Sequence, residues 1–171
     1  MGFLDRLFGG RAKTAEETRF SGEKMVVKSP MDGIVLPLEQ LPDETFAAAI
    51  LGPGCGIEPT GDTVYAPFDG TVTQIATTLH AVGITSNDGI ELLIHVGMDT
   101  VDMKGQGFTV LVKENQKVSA GTPLLKVDLD AIRAAGHPTA TAIIVTNGDD
   151  LGELKMLAEG DVLAGTPLFK F

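Results

Sequence analysis

Two of the chain's 3 histidines, His80 and His95, stand on either side of Ser86-Asn87-Asp88-Gly89, a tetrapeptide whose residue types favour a tight turn. The flanking runs over 79–85 and 90–96 read as the arms of an antiparallel hairpin. With Asn87 and Asp88 as a two-residue loop, facing residues have numbers that sum to 175, and His80 faces His95. Directly opposed Cβ atoms lie about 4.5 to 5.5 Å apart, close enough for both imidazoles to hold one phosphoryl group or one metal ion. A slip of the loop to Asp88-Gly89 undoes this pairing, so the geometry depends on register. Ile90, Leu92, Ile94 and Val96 fall on one face of the second arm and His95 on the other, which sets the histidine apart from the apolar stripe. Imidazole is the side chain that serves near neutral pH as nucleophile, proton carrier or metal ligand.

The elements that must position this pair are short. Beyond residue 24, Gly and Pro recur roughly every 8 to 12 residues with Val, Ile and Thr runs between them, the pattern of an all-β sandwich or barrel. Only short helices are expected, over 43–50, 129–135 and 149–158, the last with Asp149 and Asp150 near its start, where the helix dipole favours them. Two motifs each occur twice. Ser29-Pro30-Met31-Asp32-Gly33-Ile34-Val35 returns as Ala66-Pro67-Phe68-Asp69-Gly70-Thr71-Val72, and the stretch over 118–126 with Ala120-Gly121-Thr122-Pro123-Leu124 returns over 162–170 with Ala164-Gly165-Thr166-Pro167-Leu168. Pro-x-Asp-Gly before a β-branched strand resembles the opening turn of a lipoyl-type barrel, and Val-x-x-Gly-x-Pro-Leu the strand that closes one. The expected fold is thus an all-β, lipoyl-like barrel or sandwich with a duplicated motif. An acceptor lysine on a hairpin tip is missing, since Lys104 and Lys113 lack the flanking residues such a lysine has, and function must come from the histidine site.

Composition bounds the rest. The chain has 171 residues, 43% of them hydrophobic, enough for one ordinary domain, placed at 23–171. A formal charge of −10 without a basic cluster argues against nucleic acid and favours encounter with basic protein surfaces. With no long apolar run and no signal segment, a cytoplasmic location is expected. The single cysteine, Cys55, rules out an internal disulfide and reads as a packed or loop thiol. Residues 1–22 form an expected tail: Phe3, Leu4, Leu7 and Phe8 fall on one side of a short helix ahead of a polar linker, either a plain terminus or a weak membrane-surface anchor. Arg6 stands where N-myristoylation needs Ser or Thr.

Thr78-Leu79-His80-Ala81, the run from Gly89 to Val101 containing His95-Val96-Gly97-Met98-Asp99-Thr100-Val101, and Lys104-Gly105-Gln106-Gly107-Phe108 closely resemble the glucose-type enzyme IIA component of the bacterial phosphoenolpyruvate-dependent sugar phosphotransferase system. The resemblance runs from about residue 25 to the C-terminus, and the amphipathic start is similar to that of free-standing members. It implies that His95 accepts a phosphoryl group from the phosphocarrier HPr and passes it to a cysteine of a sugar-specific IIB domain, that His80 donates a hydrogen bond to the phosphoryl oxygens, and that Thr78 orients His80. No cofactor is required by this reading. A Zn²⁺ bridging His80 and His95 to a water and a partner's carboxylate is a further possibility of the pair. Regulated transporters or kinases are implied as partners of the unphosphorylated form. Phe46, Val101 and Asp99 are expected on the partner-binding surface, Phe46 and Val101 as its apolar rim, where Glu44 and Thr45 replace the apolar residues more usual in the family. Asp99, four residues after His95, is suited to orienting a ring or repelling a misaligned phosphate and equally to a turn or cap. The rival reading is a zinc hydrolase, because His95-x-x-x-Asp99 resembles half of a lysostaphin-type peptidase site. That site needs a downstream His-x-His, and His137 stands alone.

Overall fold

Short strands form between the glycine and proline punctuation of the sequence. The computed structural model describes residues 24–171, and the amphipathic tail expected over 1–22 lies outside the described residues. The strands run in chain order as β1 (Val26–Lys28), β2 (Gly33–Pro37), β3 (Gly54–Pro59), β4 (Thr63–Tyr65), β5 (Gly70–Ile75), β6 (Ala81–Ser86), β7 (Glu91–His95), β8 (Phe108–Val110), β9 (Lys117–Val118), β10 (Pro123–Val127), β11 (Thr141–Val145), β12 (Lys155–Met156), β13 (Gly160–Val162) and β14 (Pro167–Lys170). They form an eight-stranded sheet of order β13-β2-β3-β11-β7-β6-β5-β9 and two three-stranded sheets, β1-β14-β12 and β4-β10-β8. The architecture is the expected all-β one.

The two small sheets show why the motifs are duplicated. The backbone N–H of Ala164 donates to Asp32 Oδ1 (2.7 Å), and that of Ala120 donates to Asp69 Oδ1 (2.8 Å). Backbone bonds repeat the match: Ser29 with Thr166 and Gly165 on one side, Ala66 with Thr122 and Gly121 on the other. Each Pro-x-Asp-Gly turn is therefore locked onto an Ala-Gly-Thr-Pro turn, the first motif with the last and the second with the third. Strand pairs β1/β14 and β4/β10 extend the two locks, each with one register shift.

The core fills the space between the sheets with Val27, Met31, Ile57, Val72, Ile84, Ile94, Leu124, Leu125, Ile143 and Phe169, all at most 1% exposed. Strand β11 is buried along its whole length because both faces are covered. Ile143 and Val145 face this core, while Ala142 and Ile144 face a smaller cluster with Leu41, Phe46, Met98 and Ala140 on the other side of the sheet.

The helices are fewer and shorter than expected. α1 (Glu44–Ala47) starts at Asp43, whose side chain accepts from Phe46 N, and α2 (Leu129–Ala134) starts at Asp128, which accepts from Ala131 N. No helix spans 149–158. A single 3-10 turn at Gly148–Asp150 ends near Gly152 (φ +98°), and Lys155–Met156 then pairs with β14. Strand pairing outweighs the local acidic start there. Cys55 lies inside β3 rather than in a loop, 1% exposed, and burial pushes its thiol pKa up to about 12, which makes it a packed, unreactive thiol.

Candidate functional site

The hairpin register differs from the expected one by a single step, and the imidazoles meet all the same. β6 and β7 pair with numbers summing to 176, so Ala81 faces His95. The loop holds three residues rather than two: Gly89 N bonds Ser86 O, Ser86 N bonds Ile90 O, and Gly89 takes φ +99°. This is a tight turn followed by a left-handed glycine, a common three-residue hairpin loop. His80 then precedes the strand instead of lying in it. Leu79, at φ +63°, bends the chain just ahead of β6 and carries the His80 ring back over the sheet. The rings stand edge to face with centroids 4.7 Å apart.

His95 occupies the outer face of the large sheet, as its alternation with Leu92 and Ile94 requires. Following the ladders sideways gives one transverse row: Ala81, His95, Ala142, Gly56, Leu36. Small residues beside His95 leave a shelf. Phe46 from α1 lies over it with its ring centroid 5.0 Å from that of His95, and a Cβ on Gly56 would come within 2.5 Å of the Leu41 side chain. Phe46 is 6% exposed, so it forms a buried wall of the site rather than the apolar rim expected of it. The small cluster of Leu41, Met98, Ala140, Ala142 and Ile144 draws its ring inward.

The turn after β7 sets the ring's tautomer. His95 Nδ1 lies 2.9 Å from the Gly97 carbonyl oxygen, which can only accept, so the neutral ring carries its proton on Nδ1 and leaves the Nε2 lone pair free. Gly97 takes φ +73°; a Cβ there would lie 2.4 Å from Thr100 Cγ2 and 3.1 Å from Pro138 O. Thr100 Oγ1 donates to Val96 O (2.6 Å), and Met98 N donates to Pro138 O (3.0 Å), so the turn is tied down on both sides. On the other ring, Thr78 Oγ1 is 2.8 Å from His80 Nδ1, and the Phe108 ring packs edge-on with centroids 6.4 Å apart.

Both imidazoles titrate below their ordinary value. Burial does most of this for His95, with the His80 charge adding to it; the Gly97 contact and the Asp43 carboxylate oppose it. Burial likewise lowers His80, against a backbone hydrogen bond at Thr78. The site therefore holds two neutral rings at pH 7, one with a defined free nitrogen.

Of the remaining expected residues, Val101 is 51% exposed beside the site. Asp99 is exposed at φ +58° at the start of the 3-10 turn Thr100–Met103, and its side chain caps nothing. It is a turn residue and orients neither ring. Sequence reasoning passed over Asp43, Gly56, Gly97, Thr100, Phe108 and Ala142 as site residues. Thr100 and Phe108 lay inside the recognised motifs, whereas Gly56 and Ala142 become neighbours of His95 only through strand order. Among the described residues no three His, Cys, Asp or Glu side chains group to hold a metal. The pair thus offers a zinc ion two of its four ligands, and the hydrolase reading lacks its third.

Comparison with known proteins bears on the family and the fold. Residues 25–151 match the family model described as phosphoenolpyruvate-dependent sugar phosphotransferase system, EIIA 1. The glucose-specific EIIA component of Halalkalibacterium halodurans is 39% identical over 160 residues, covering 94% of this chain and 92% of that protein. A mannose-specific EIIBCA component of Corynebacterium glutamicum is 41% identical over 159 residues and a glucose-specific EIICBA component of Streptococcus pneumoniae 45% over 144, covering 93% and 84% of this chain. The chain spans only 23% and 20% of the length of those two longer relatives. Among solved structures, glucose permease IIA from Mycoplasma capricolum superimposes with a TM-score of 0.81 at 33% identity, over 86% of this chain and 96% of that one. With its paired imidazoles, duplicated all-β frame and a match over most of its length, the chain belongs to the EIIA 1 family of the sugar phosphotransferase system.

Proposed function

We propose that this protein is a phosphocarrier of sugar uptake in which His95 accepts a phosphoryl group from HPr and donates it to a cysteine of a IIB domain. The observation that carries the reading is the free Nε2 of His95, fixed by the Gly97 carbonyl and set 4.7 Å, centroid to centroid, from a second imidazole. On acceptance, the Nε2 lone pair forms a bond to phosphorus while the bond from phosphorus to the donor's imidazole breaks, and that ring keeps the electron pair. On donation, a thiolate attacks phosphorus and His95 is the leaving group. Such transfers need positioning and charge stabilisation more than covalent help. In this reading the Thr78 hydroxyl, 2.8 Å from His80 Nδ1, donates to it, so that His80 carries its proton on Nε2 and donates it to the equatorial phosphoryl oxygens. Val101 offers an exposed apolar contact to either partner. In its unphosphorylated form the same face binds and restrains transporters or kinases, and a partner's carboxylate together with water completes a Zn²⁺ site on His80 and His95. No helix of the described residues is long and apolar enough to cross a membrane, and the reading places the domain in the cytoplasm.

The test is incubation with phosphoenolpyruvate and the general phosphotransfer proteins. The mass rises by one phosphate in an acid-labile linkage, and His95→Ala abolishes the rise. His80→Gln still accepts but donates roughly 10 to 1,000-fold more slowly, through loss of one hydrogen-bond donor to the transferring group. Acid-labile label in His95→Ala refutes the assignment.

A further inference from the structure

The Lys104-Gly105-Gln106-Gly107-Phe108 segment has so far no part in the site beyond the Phe108 ring, and Leu79 occupies a backbone region that leucine avoids. At φ +63°, Leu79 sits in the left-handed region, where the Cβ crowds the following carbonyl oxygen. It persists only where its surroundings hold it. Two contacts hold it here: Leu79 N donates to Ala76 O at 2.8 Å, closing the turn between β5 and β6, and the half-buried side chain packs against the main core. Above it runs the 104–108 segment, itself coiled by left-handed residues at Lys104 (φ +55°), Gly105 (φ +87°) and Gly107 (φ +89°). A Cβ added at Gly105 would meet Leu79 Cδ1 at 3.6 Å and the Thr78 carbonyl oxygen at 3.9 Å, so Gly105 stands one carbon's reach from the Leu79 side chain. Two residues further on, Phe108 presents its ring to His80.

The bend at Leu79 has a direct effect on His80. In an extended strand successive side chains point to opposite faces. Ala81 faces His95 in the β6/β7 register, so an unbent chain would turn His80 to the other face; the left-handed Leu79 brings its ring to 4.7 Å from that of His95, centroid to centroid, with Nδ1 2.8 Å from Thr78 Oγ1.

We propose that Leu79 is a positioning residue for His80: seated under Gly105 of the 104–108 segment, it holds the left-handed bend that places the His80 ring on Thr78 and against His95. This deepens the phosphocarrier reading and rests on it for the kinetic consequence, while the geometric part is judged without any phosphoryl chemistry. Leu79→Gly keeps the φ freely accessible and removes only the side chain. Leu79→Met restores an unbranched apolar side chain of similar volume. The full-length variants are compared by ring ¹⁵N–¹H spectra at fixed pH and by half-reaction kinetics. In Leu79→Gly the His80 ring resonances shift and broaden while those of His95 Nδ1 stay in place. Donation to the IIB domain falls about 10 to 100-fold, the scale of a misplacement near 1 Å, and acceptance on His95 is unchanged. Leu79→Met behaves as the parent chain. Unmoved His80 resonances in Leu79→Gly overturn the proposal, as does an equal loss in both half-reactions or a Leu79→Met variant no better than the glycine. Failure of the parent chain to take a phosphoryl group would count against the phosphocarrier reading instead, and the spectra would still decide the role of Leu79.

Discussion

Replacing Gly97 by alanine puts a number on how firmly the turn after His95 is built. Two costs combine. The left-handed backbone at φ +73° charges an L residue roughly 1–2 kcal/mol. The added Cβ, 2.4 Å from Thr100 Cγ2 and 3.1 Å from Pro138 O, overpacks a buried corner for about 1–3 kcal/mol more. Gly89 supplies the control, since it also has positive φ (+99°) but nothing within 4 Å of an added Cβ. At about 2–4 °C per kcal/mol for a domain of this size, Gly89→Ala should melt about 2–8 °C below the parent chain, and Gly97→Ala a further 2–12 °C or so lower. The functional contrast is sharper. Moving the Gly97 carbonyl releases His95 Nδ1, so initial rates of acid-labile labelling should drop about a hundredfold in Gly97→Ala and stay at the parent value in Gly89→Ala. Scanning calorimetry and labelling on the same preparations check both. Equal melting temperatures for the two variants, or a folded Gly97→Ala that labels at the parent rate, would refute the reasoning.

Asp43→Asn keeps an N-cap of equal quality but removes the carboxylate that holds the His95 pKa up; stability should be unchanged, and the His95 midpoint followed by NMR should fall. A midpoint that stays or rises would mean the carboxylate does not act on the ring. Because both imidazoles titrate below their ordinary value of 6.5 in the folded chain, the unfolded chain binds more protons near that pH, and stability rises with pH. Their contribution is complete above about pH 6.5 and is lost as the pH falls through the lower folded values, so urea midpoints of the parent chain should fall more steeply than those of His80→Gln between about pH 7.5 and pH 5. Parallel curves would contradict this. Zinc titration by calorimetry should show weak binding to the isolated chain, abolished by His80→Ala; tight binding, or binding indifferent to that change, would mean ligands other than this pair.

The histidine pairing was legible in the sequence, though not by the route that reveals it. Asn87-Asp88-Gly89 supports either a two-residue or a three-residue loop, and the choice lies in hydrogen bonds that residue types do not determine. The three-residue loop moves His80 off the position opposite His95, and the bend at Leu79 returns it; nothing in a leucine announces a left-handed backbone. The duplicated motifs were visible because chemistry repeats at fixed spacing, but which copy closes on which is a property of the assembled sheets. The shelf under His95 was not legible for the same reason: Ala142 and Gly56 flank it only once β11 lies between β7 and β3. At 149–158, acidic residues favourable to a helix start were overruled by a strand partner elsewhere in the chain.

The nested locks also impose an order on assembly. Asp69 meets Ala120 across 51 residues, whereas Asp32 meets Ala164 across 132. Closing the longer loop costs only about 0.8 kcal/mol more in chain entropy, so thermodynamics barely distinguishes the two. Time does. A chain emerging from the ribosome can complete the inner lock, with β4 and β10 beside it, well before β14 exists, while β1 waits with its edge unpaired until β14 is made. During synthesis the β1 edge thus stays open to a wrong partner longer than the β4 edge does.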